Sequence, residues 1–145
     1  MKILVLNGPN LNMLGIRKPE IYGIDTLEAI NSYLKNTFPD LELEFFQSNI
    51  EGEVISRLHF AHKSYQGVII NPGAWSHYSI ALRDAVESCI LPVIEVHLSN
   101  IAAREEFRRI SIISPVAEGT ISGFGKHSYV LAIQAMLHRL SKKEK

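Results

Sequence analysis

Three polar side chains able to transfer protons or bind anions stand at alternate positions in the segment 91–100. They are Glu95, His97 and Ser99, and the residues between them are apolar. Because strand side chains point alternately to two faces, a strand here presents all three on one face. Burying such groups without partners costs about 2–7 kcal/mol each. The row therefore indicates a ligand site, the alternatives being an internally satisfied polar pocket or an interface edge.

His97 is the residue of this row best suited to donate a proton near neutral pH. An imidazole has an unperturbed pKa of about 6.5, and Glu95 on the same strand face can orient or charge the ring. Tyr22, close to Arg17 in the sequence, is a candidate base. Since a phenol has an unperturbed pKa of about 10, Tyr22 acts as a base only if a cation such as Arg17 favours its phenolate.

Arginine and amide side chains add the means to recognise anions and oxygens. Arg104 and Arg108 are spaced so that one face of a predicted helix presents both guanidiniums. Asn10 and Asn71 follow apolar segments and bring amides to their ends. Asparagine is also ordinary turn chemistry, so the amides taken alone leave both interpretations open.

Nucleophilic catalysis by serine or lysine receives less support. Ser76 precedes His77, but no Gly-x-Ser-x-Gly elbow surrounds it. Neither Lys18 nor Lys126 sits in the apolar setting that activates an amine for imine formation. Proton transfer is the chemistry that remains.

Metal binding is not predicted either. His59 and His62 lie three residues apart on a predicted helix, a spacing that could suit a metal. The pattern supplies no third ligand nearby, so both are interpreted as surface histidines.

Length and composition limit the number of domains, the classes of partner and the expected location of the protein. The chain has 145 residues, which predicts one domain over 1–145. It carries 15 basic and 15 acidic residues and no basic stripe, so neither nucleic acid nor a membrane is expected as a partner. Cys89 is the only cysteine, which excludes an intrachain disulfide. With no recognisable leader or membrane-spanning run, a cytoplasmic location is expected.

Apolar runs alternate with helical periodicities along the chain, which predicts a doubly wound parallel sheet in three α/β/α layers. The expected order is flavodoxin-like, 2-1-3-4-5, with ligands beyond the carboxyl ends of the strands near the switch point. Strands are predicted at 3–6, 41–46, 67–70, from 91 onward and, weakly, at 110–113; helices are predicted at 25–38, 52–62, 79–89, from about 101 and at 128–140.

Two segments between these elements have a possible role in ligand binding. The aperiodic segment 13–25, here called the lid segment, is long enough to be functional. The segment 119–125 contains Gly-Phe-Gly before a helix, a fragment of a phosphate-binding loop. The fragment is weak evidence, because a dinucleotide fingerprint follows the first strand.

The polar motifs taken together resemble type II 3-dehydroquinate dehydratase, in order and spacing, over nearly the whole chain. The resemblance implies a flavodoxin-like, cofactor-free enzyme of the shikimate pathway. It implies conversion of 3-dehydroquinate to 3-dehydroshikimate and water by anti elimination through an enolate. The motifs are 7–15 (NGPNLNMLG), Arg17, Tyr22 with Gly23, 71–77 (NPGAWSH), 81–84 (ALRD), 95–100 (EVHLSN) and 104–108 (REEFR).

The resemblance also implies roles for the site residues. Tyr22, made basic by Arg17, accepts the proton from C2. His97, supported by Glu95, helps the C1 hydroxyl leave as water. Asn10 stabilises the enolate directly or through water. The substrate-binding residues implied are Asn71, Gly73, His77, Leu98, Ser99, Arg104 and Arg108, with the carboxylate chiefly at Leu98 and Ser99, and Arg108 at a ring hydroxyl.

The resemblance further implies an assembly of four trimers into a dodecamer. Asp84 is then supplied to a neighbour's site, whereas the sequence alone favours a solvated surface charge. Met13, Lys18 and Trp75 depart from the family pattern, where leucine, an acidic residue and tyrosine are more usual. They affect lid packing and inhibitor fit, and the reaction class is unchanged.

A flavin- or phosphate-binding flavodoxin-like module is the competing hypothesis. It calls for a phosphate loop rich in Ser and Thr after the first strand. This chain has Asn, Gly and Pro there instead.

Overall fold

A five-stranded parallel sheet with the order β2-β1-β3-β4-β5 forms the centre of the molecule. The computed structural model describes residues 1–142. The predicted flavodoxin-like strand order is confirmed. The strands are β1 (Lys2–Asn7), β2 (Glu42–Gln47), β3 (Gly67–Asn71), β4 (Val93–His97) and β5 (Gly119–Ser122).

Helices cover both faces of the sheet, as the continuous apolar character of β1 predicts. The helices are α1 (Pro19–Tyr22), α2 (Leu27–Thr37), α3 (Glu51–Phe60), α4 (Ile80–Glu87) and α5 (His127–Ser141). Ile3 and Val5 of β1 pack on one side with α2 and α5, and Leu4 and Leu6 pack on the other side with α3 and α4. Residues 143–145, in the charged tail predicted after α5, lie outside the described residues.

The prediction of the fifth strand at 110–113 is wrong, because β5 lies further along the chain at Gly119–Ser122. Ile113 is instead fully buried in the core formed with α3 and α4. The Ser111 hydroxyl accepts backbone N–H groups of Ile113 and Ser114 at 3.2 Å, which folds the segment into a turn. β5 has only four residues and leads into a glycine-rich loop, so its pattern is too short to indicate a strand even though Thr120 and Ile121 favour strand structure.

The start of α2 differs from the prediction by one residue. Thr26, and not Asp25, is the N-cap, and its hydroxyl accepts the Ala29 N–H at 3.1 Å. Asp25 is free to pair with Lys126, with 3.1 Å between Oδ2 and Nζ. The end of the lid segment is thereby tied to the loop before α5.

Candidate active site

A polar cavity of about 170 Å³ lies beyond the carboxyl ends of β1, β3 and β4, at the switch point of the sheet. Ligands of open parallel sheets bind at this position. Most of the predicted site residues line it. They are Asn10, Arg17, Tyr22, Asn71, Gly73, His97, Leu98, Ser99, Arg104 and Arg108, together with Pro9, Leu11, Ala74 and Ile101.

The loop after β1 presents Asn10 to this polar cavity. Gly8 lets the loops after β1 and β3 approach, since a Cβ there would stand 2.7 Å from the Pro72 carbonyl oxygen. Asn10 has a left-handed backbone with φ of 66°. Its N–H donates to Asn49 Oδ1 at 2.9 Å, and Gln47 Nε2 donates to the Gly8 carbonyl at 3.1 Å. Sequence reasoning missed Gln47, the last residue of β2, and Asn49, two positions further on, which together hold this loop.

The lid segment contains the one-turn helix α1, which periodicity did not predict. Pro19 begins the helix and Tyr22 ends it, so Tyr22 is held on a turn of regular structure. Arg104 Nη1 donates to the Tyr22 hydroxyl at 2.7 Å. The Arg17 guanidinium carbon lies 5.0 Å from the centroid of the Tyr22 ring. The Arg104 guanidinium carbon lies 5.1 Å from the same centroid, so both arginines place positive charge at the ring and Arg104 also places it at the oxygen.

The prediction that Arg104 and Arg108 share one helical face is wrong. Two separate 3-10 turns occupy this stretch, Ile101–Ala103 and Glu106–Arg108. Arg104 lies between them in extended conformation. Its carbonyl accepts Arg109 Nε at 3.0 Å, which stabilises the break in the helix. Both predicted arginines nevertheless line the polar cavity.

Glu95 is fully buried in the middle of β4, and its carboxylate is held by hydroxyl groups. Ser111 Oγ donates to it at 2.5 Å, Ser114 Oγ donates to the other oxygen, and Thr120 Oγ1 donates at 3.3 Å. Burial by itself raises the pKa of this carboxyl, but the interactions with His97 and the two serines outweigh burial and hold the pKa below its usual range. Glu95 is therefore a buried carboxylate ion. Sequence reasoning missed the three hydroxyl residues, which lie 16 to 25 positions away.

His97 lies between this carboxylate and the polar cavity. Its Nε2 stands 3.6 Å from Glu95 Oε1, an ion-pair distance that exceeds hydrogen-bond length. The His77 ring stacks on it, with 6.4 Å between the centroids and 21° between the planes. His77 Nδ1 donates to the Ile110 carbonyl at 2.9 Å, which fixes the orientation of that ring. His77 and Glu95 thus support His97 from outside the lining of the cavity.

Asp84 lies apart from the other predicted site residues. Its side chain is 65 % exposed on α4, with Arg83 Nη1 at 3.8 Å from Oδ1. It does not belong to the lining of the polar cavity in this chain. Its predicted contact with a neighbouring subunit stays a prediction.

A wider groove of about 860 Å³ flanks the polar cavity on the side of the lid segment. The two share Tyr22, Leu98, Ser99 and Arg104 as a common wall. We assign the chemistry to the smaller cavity because the histidine, the amides and three arginines converge there.

In residues 1–142, no group of three or more His, Cys, Asp or Glu side chains is arranged to hold a metal ion. None of the helices in the same range combines the length and apolar character that crossing a membrane requires.

Comparison with known proteins gives one consistent family. The family model described as Dehydroquinase class II matches residues 1–137. The 3-dehydroquinate dehydratase of Pelodictyon phaeoclathratiforme is 55 % identical over 139 residues, covering 94 % of this chain and 92 % of the relative. The 3-dehydroquinate dehydratase of Clostridium botulinum (strain Loch Maree) is 53 % identical, covering 96 % of each chain.

Solved structures agree with the sequence relatives. The type II dehydroquinase of Butyrivibrio crossotus superposes with a TM-score of 0.91 at 46 % identity, covering 94 % of this chain and 97 % of that one. The type II dehydroquinase of Propionibacterium acnes superposes with a TM-score of 0.89 at 45 % identity, covering 93 % and 94 %. The chain therefore belongs to the class II dehydroquinase family.

Proposed function

We propose that this chain is a type II 3-dehydroquinate dehydratase of the shikimate pathway. It converts 3-dehydroquinate to 3-dehydroshikimate and water, and it works in the cytoplasm. Family membership supports the reaction. The observation that best supports the mechanism is the hydrogen bond from the Arg104 guanidinium to the Tyr22 hydroxyl. It lies in a cavity that His97 also lines.

Tyr22 removes the proton from C2 of the substrate. That proton is acidic because C2 is adjacent to the C3 ketone, and the electrons of the broken C–H bond move onto the ketone oxygen as an enolate. A phenolate accepts the proton, and the charge-assisted hydrogen bond from Arg104 together with the nearby charge of Arg17 stabilises that phenolate.

Asn10 stabilises the enolate oxygen, directly or through one water. Its left-handed backbone and the hydrogen bond from its N–H to Asn49 hold it at the cavity before substrate arrives. Donors fixed in advance at the developing charge lower the barrier without a reorganisation cost.

His97 completes the anti elimination. The enolate electrons return to re-form the ketone, the C1–C2 double bond forms, and the C1–O bond breaks. His97 gives its proton to the departing hydroxyl, which leaves as water. The buried Glu95 carboxylate, 3.6 Å from the ring, stabilises the imidazolium that carries this proton before transfer.

The remaining polar groups hold the substrate. We assign its carboxylate to Ser99 and the backbone of Leu98, a ring hydroxyl to Arg108, and a further oxygen to Asn71. The predicted contact of His77 with the substrate stays a prediction, because this ring stacks on His97 outside the cavity lining. Arg104 contributes as well, because its Nη2 is buried and, among the described residues, has no hydrogen-bond partner. A buried donor of this kind favours an oxygen-rich anionic ligand, since leaving it unpaired is costly.

Asp84 acts in the site of a neighbouring subunit, and the protein assembles as a dodecamer of four trimers. The exposed position of Asp84 on α4, outside the cavity of its own chain, supports this assignment.

The decisive experiment incubates the purified protein with 3-dehydroquinate and follows the ultraviolet absorbance of the conjugated enone product. Tyr22→Phe should lose two to four orders of magnitude in kcat and still bind substrate, because the ring remains. Tyr33→Phe, on α2, is the matched control and should keep full activity. A correctly folded wild-type protein that forms no enone would refute the proposal, and a purified protein carrying flavin absorbance would favour the phosphate-binding alternative.

A further inference from the structure

We propose that Tyr129 is a positioning residue that fixes the orientation of the Asn71 amide toward the substrate. Tyr129 belongs to α5, a helix to which neither the sequence motifs nor the proposed mechanism assigns a site residue. The inference rests on the proposed function, in which Asn71 binds 3-dehydroquinate.

The Tyr129 side chain is fully buried and reaches from α5 to the carboxyl ends of two central strands. Its hydroxyl donates to Asn7 Oδ1 and accepts a hydrogen bond from Asn71 Nδ2 at 3.0 Å. Asn7 and Asn71 are register partners at the ends of β1 and β3, and both are buried. One hydroxyl group thus bridges the strands on either side of the switch point.

This arrangement distinguishes the two ends of the Asn71 amide. Asn71 Oδ1 accepts the Gly73 N–H at 3.2 Å, which requires the oxygen to be on that side. The hydroxyl of Tyr129 has one hydrogen, which it gives to Asn7, so toward Asn71 it can only accept. One hydrogen of Asn71 Nδ2 remains. Because Asn71 lines the polar cavity, we assign that hydrogen to a substrate oxygen.

The neutral form of Tyr129 is essential to this role. A phenolate would lose the hydrogen that Asn7 accepts and would place a charge in the core. Burial raises the pKa of Tyr129 well above its usual value, so the hydroxyl keeps its proton across the working range. Tyr129 therefore orients a binding group and takes no part in proton transfer, unlike Tyr22.

Gly73 extends the same chain of contacts. It has a φ of 55°, and a Cβ on it would lie 3.1 Å from the Pro9 carbonyl oxygen. The loop that follows β3 is thus closely packed on the loop that leads to Asn10. Rotation of the Asn71 amide would break its bond to the Gly73 N–H, so Tyr129 and Gly73 hold the amide from both sides.

The test measures kcat and KM for Tyr129→Phe, in the wild-type background and in an Asn71→Ala background. Tyr65→Phe is the matched control, because Tyr65 is also buried and bonded through its hydroxyl, but to Glu44 and in the core on the other face of the sheet. Melting temperatures of both variants establish that the fold is kept.

We expect Tyr129→Phe to raise KM and lower kcat/KM about tenfold, as loss of one buried hydrogen bond to a binding group does. Tyr65→Phe should change kcat/KM by less than about twofold. In the Asn71→Ala background the additional effect of Tyr129→Phe should fall below about twofold, since the group it positions is absent. Equal losses in both backgrounds, or an unchanged KM, would overturn the proposal.

A crystal structure of Tyr129→Phe shows the orientation of the Asn71 amide directly, without a measurement of turnover. The Asn71 amide should rotate or become disordered relative to wild type, and an amide that stays on Gly73 with unchanged orientation would contradict the inference. Absence of enone formation by the wild-type protein would instead count against the proposed function, so the two failures are distinguishable.

Discussion

Arg104 Nη1 lies 2.7 Å from the Tyr22 hydroxyl oxygen, although 82 positions separate the two residues in the chain. Sequence proximity points to Arg17 as the cation that favours the Tyr22 phenolate. Arg17 instead lies against the aromatic ring, 5.0 Å from its centroid. The charge nearest the Tyr22 oxygen, which we propose as the proton acceptor, is therefore that of Arg104.

Arg104→Ala should lower kcat more than Arg17→Ala does. A hydrogen bond to a charged group contributes about 1.5–3 kcal/mol, so its loss should reduce kcat by roughly 10- to 100-fold. Steady-state kinetics with 3-dehydroquinate measures both variants, and Arg57→Ala, on the opposite side of the molecule near Glu44, is the control. A larger loss in Arg17→Ala would assign the activating role to Arg17 after all.

Replacing Glu95 with glutamine should change how stability depends on pH. The folded-state pKa of Glu95 lies below its unfolded value of about 4.3, so the carboxylate contributes stability that is present above that pH. The contribution is lost as the pH falls through the lower folded-state pKa. Melting temperatures measured from pH 7 down to pH 3 should fall less in Glu95→Gln than in wild type.

Two further measurements make the Glu95 experiment specific. Glu28→Gln, on the exposed surface of α2, should keep the wild-type pH dependence. Glu95→Gln should also lower kcat at pH 7, because a neutral amide no longer stabilises the imidazolium of His97. Parallel melting curves for Glu95→Gln and wild type would contradict the assignment of Glu95 as a buried carboxylate.

Opening of the lid segment should depend on the ion pair between Asp25 and Lys126. The two side chains are 42 % exposed, so the pair contributes about 0–1 kcal/mol. Lys126→Gln should therefore speed proteolysis between Gly15 and Gly23 about two- to fivefold in ligand-free protein, and a saturating product analogue should slow it in both proteins. Lys63→Gln, beyond α3, serves as the control. If neither the ligand nor the Lys126 substitution changes the rate of cleavage, this segment is not a lid.

Subunit mixing should reveal whether Asp84 serves a neighbouring site. The protein should sediment as a dodecamer, and Asp84→Ala should reduce kcat/KM while the fold is kept. Assemblies mixed from Asp84→Ala and Tyr22→Phe subunits should regain part of the activity, because some sites then combine an intact Tyr22 with an intact Asp84 from another chain. No recovery after verified subunit exchange, or a fully active monomer, would place the whole site within one chain.

The sequence by itself determined the central strands and the position of the site. The apolar runs of β1 and β3 are unbroken because both faces of these strands are covered, and β4 is equally buried although Glu95 and His97 interrupt its apolar run, so local composition suffices to locate all three strands. The polar residues at their ends had to converge, since parallel strands place their carboxyl ends at one edge. His97, Asn71 and Asn10 were predicted for this reason, and all three line the polar cavity.

Only the tertiary structure decided which partners these residues have. Glu95 is bound by hydroxyl groups, Tyr22 by a guanidinium and Asn71 by the phenol of Tyr129. These partners come from segments 16 to 82 positions away. No periodicity encodes such pairs, because each depends on how separate elements pack. The location of β5 was decided in the same way. Ile113 is buried in the core with α3 and α4, and the four-residue segment Gly119–Ser122 pairs with the open edge of β4.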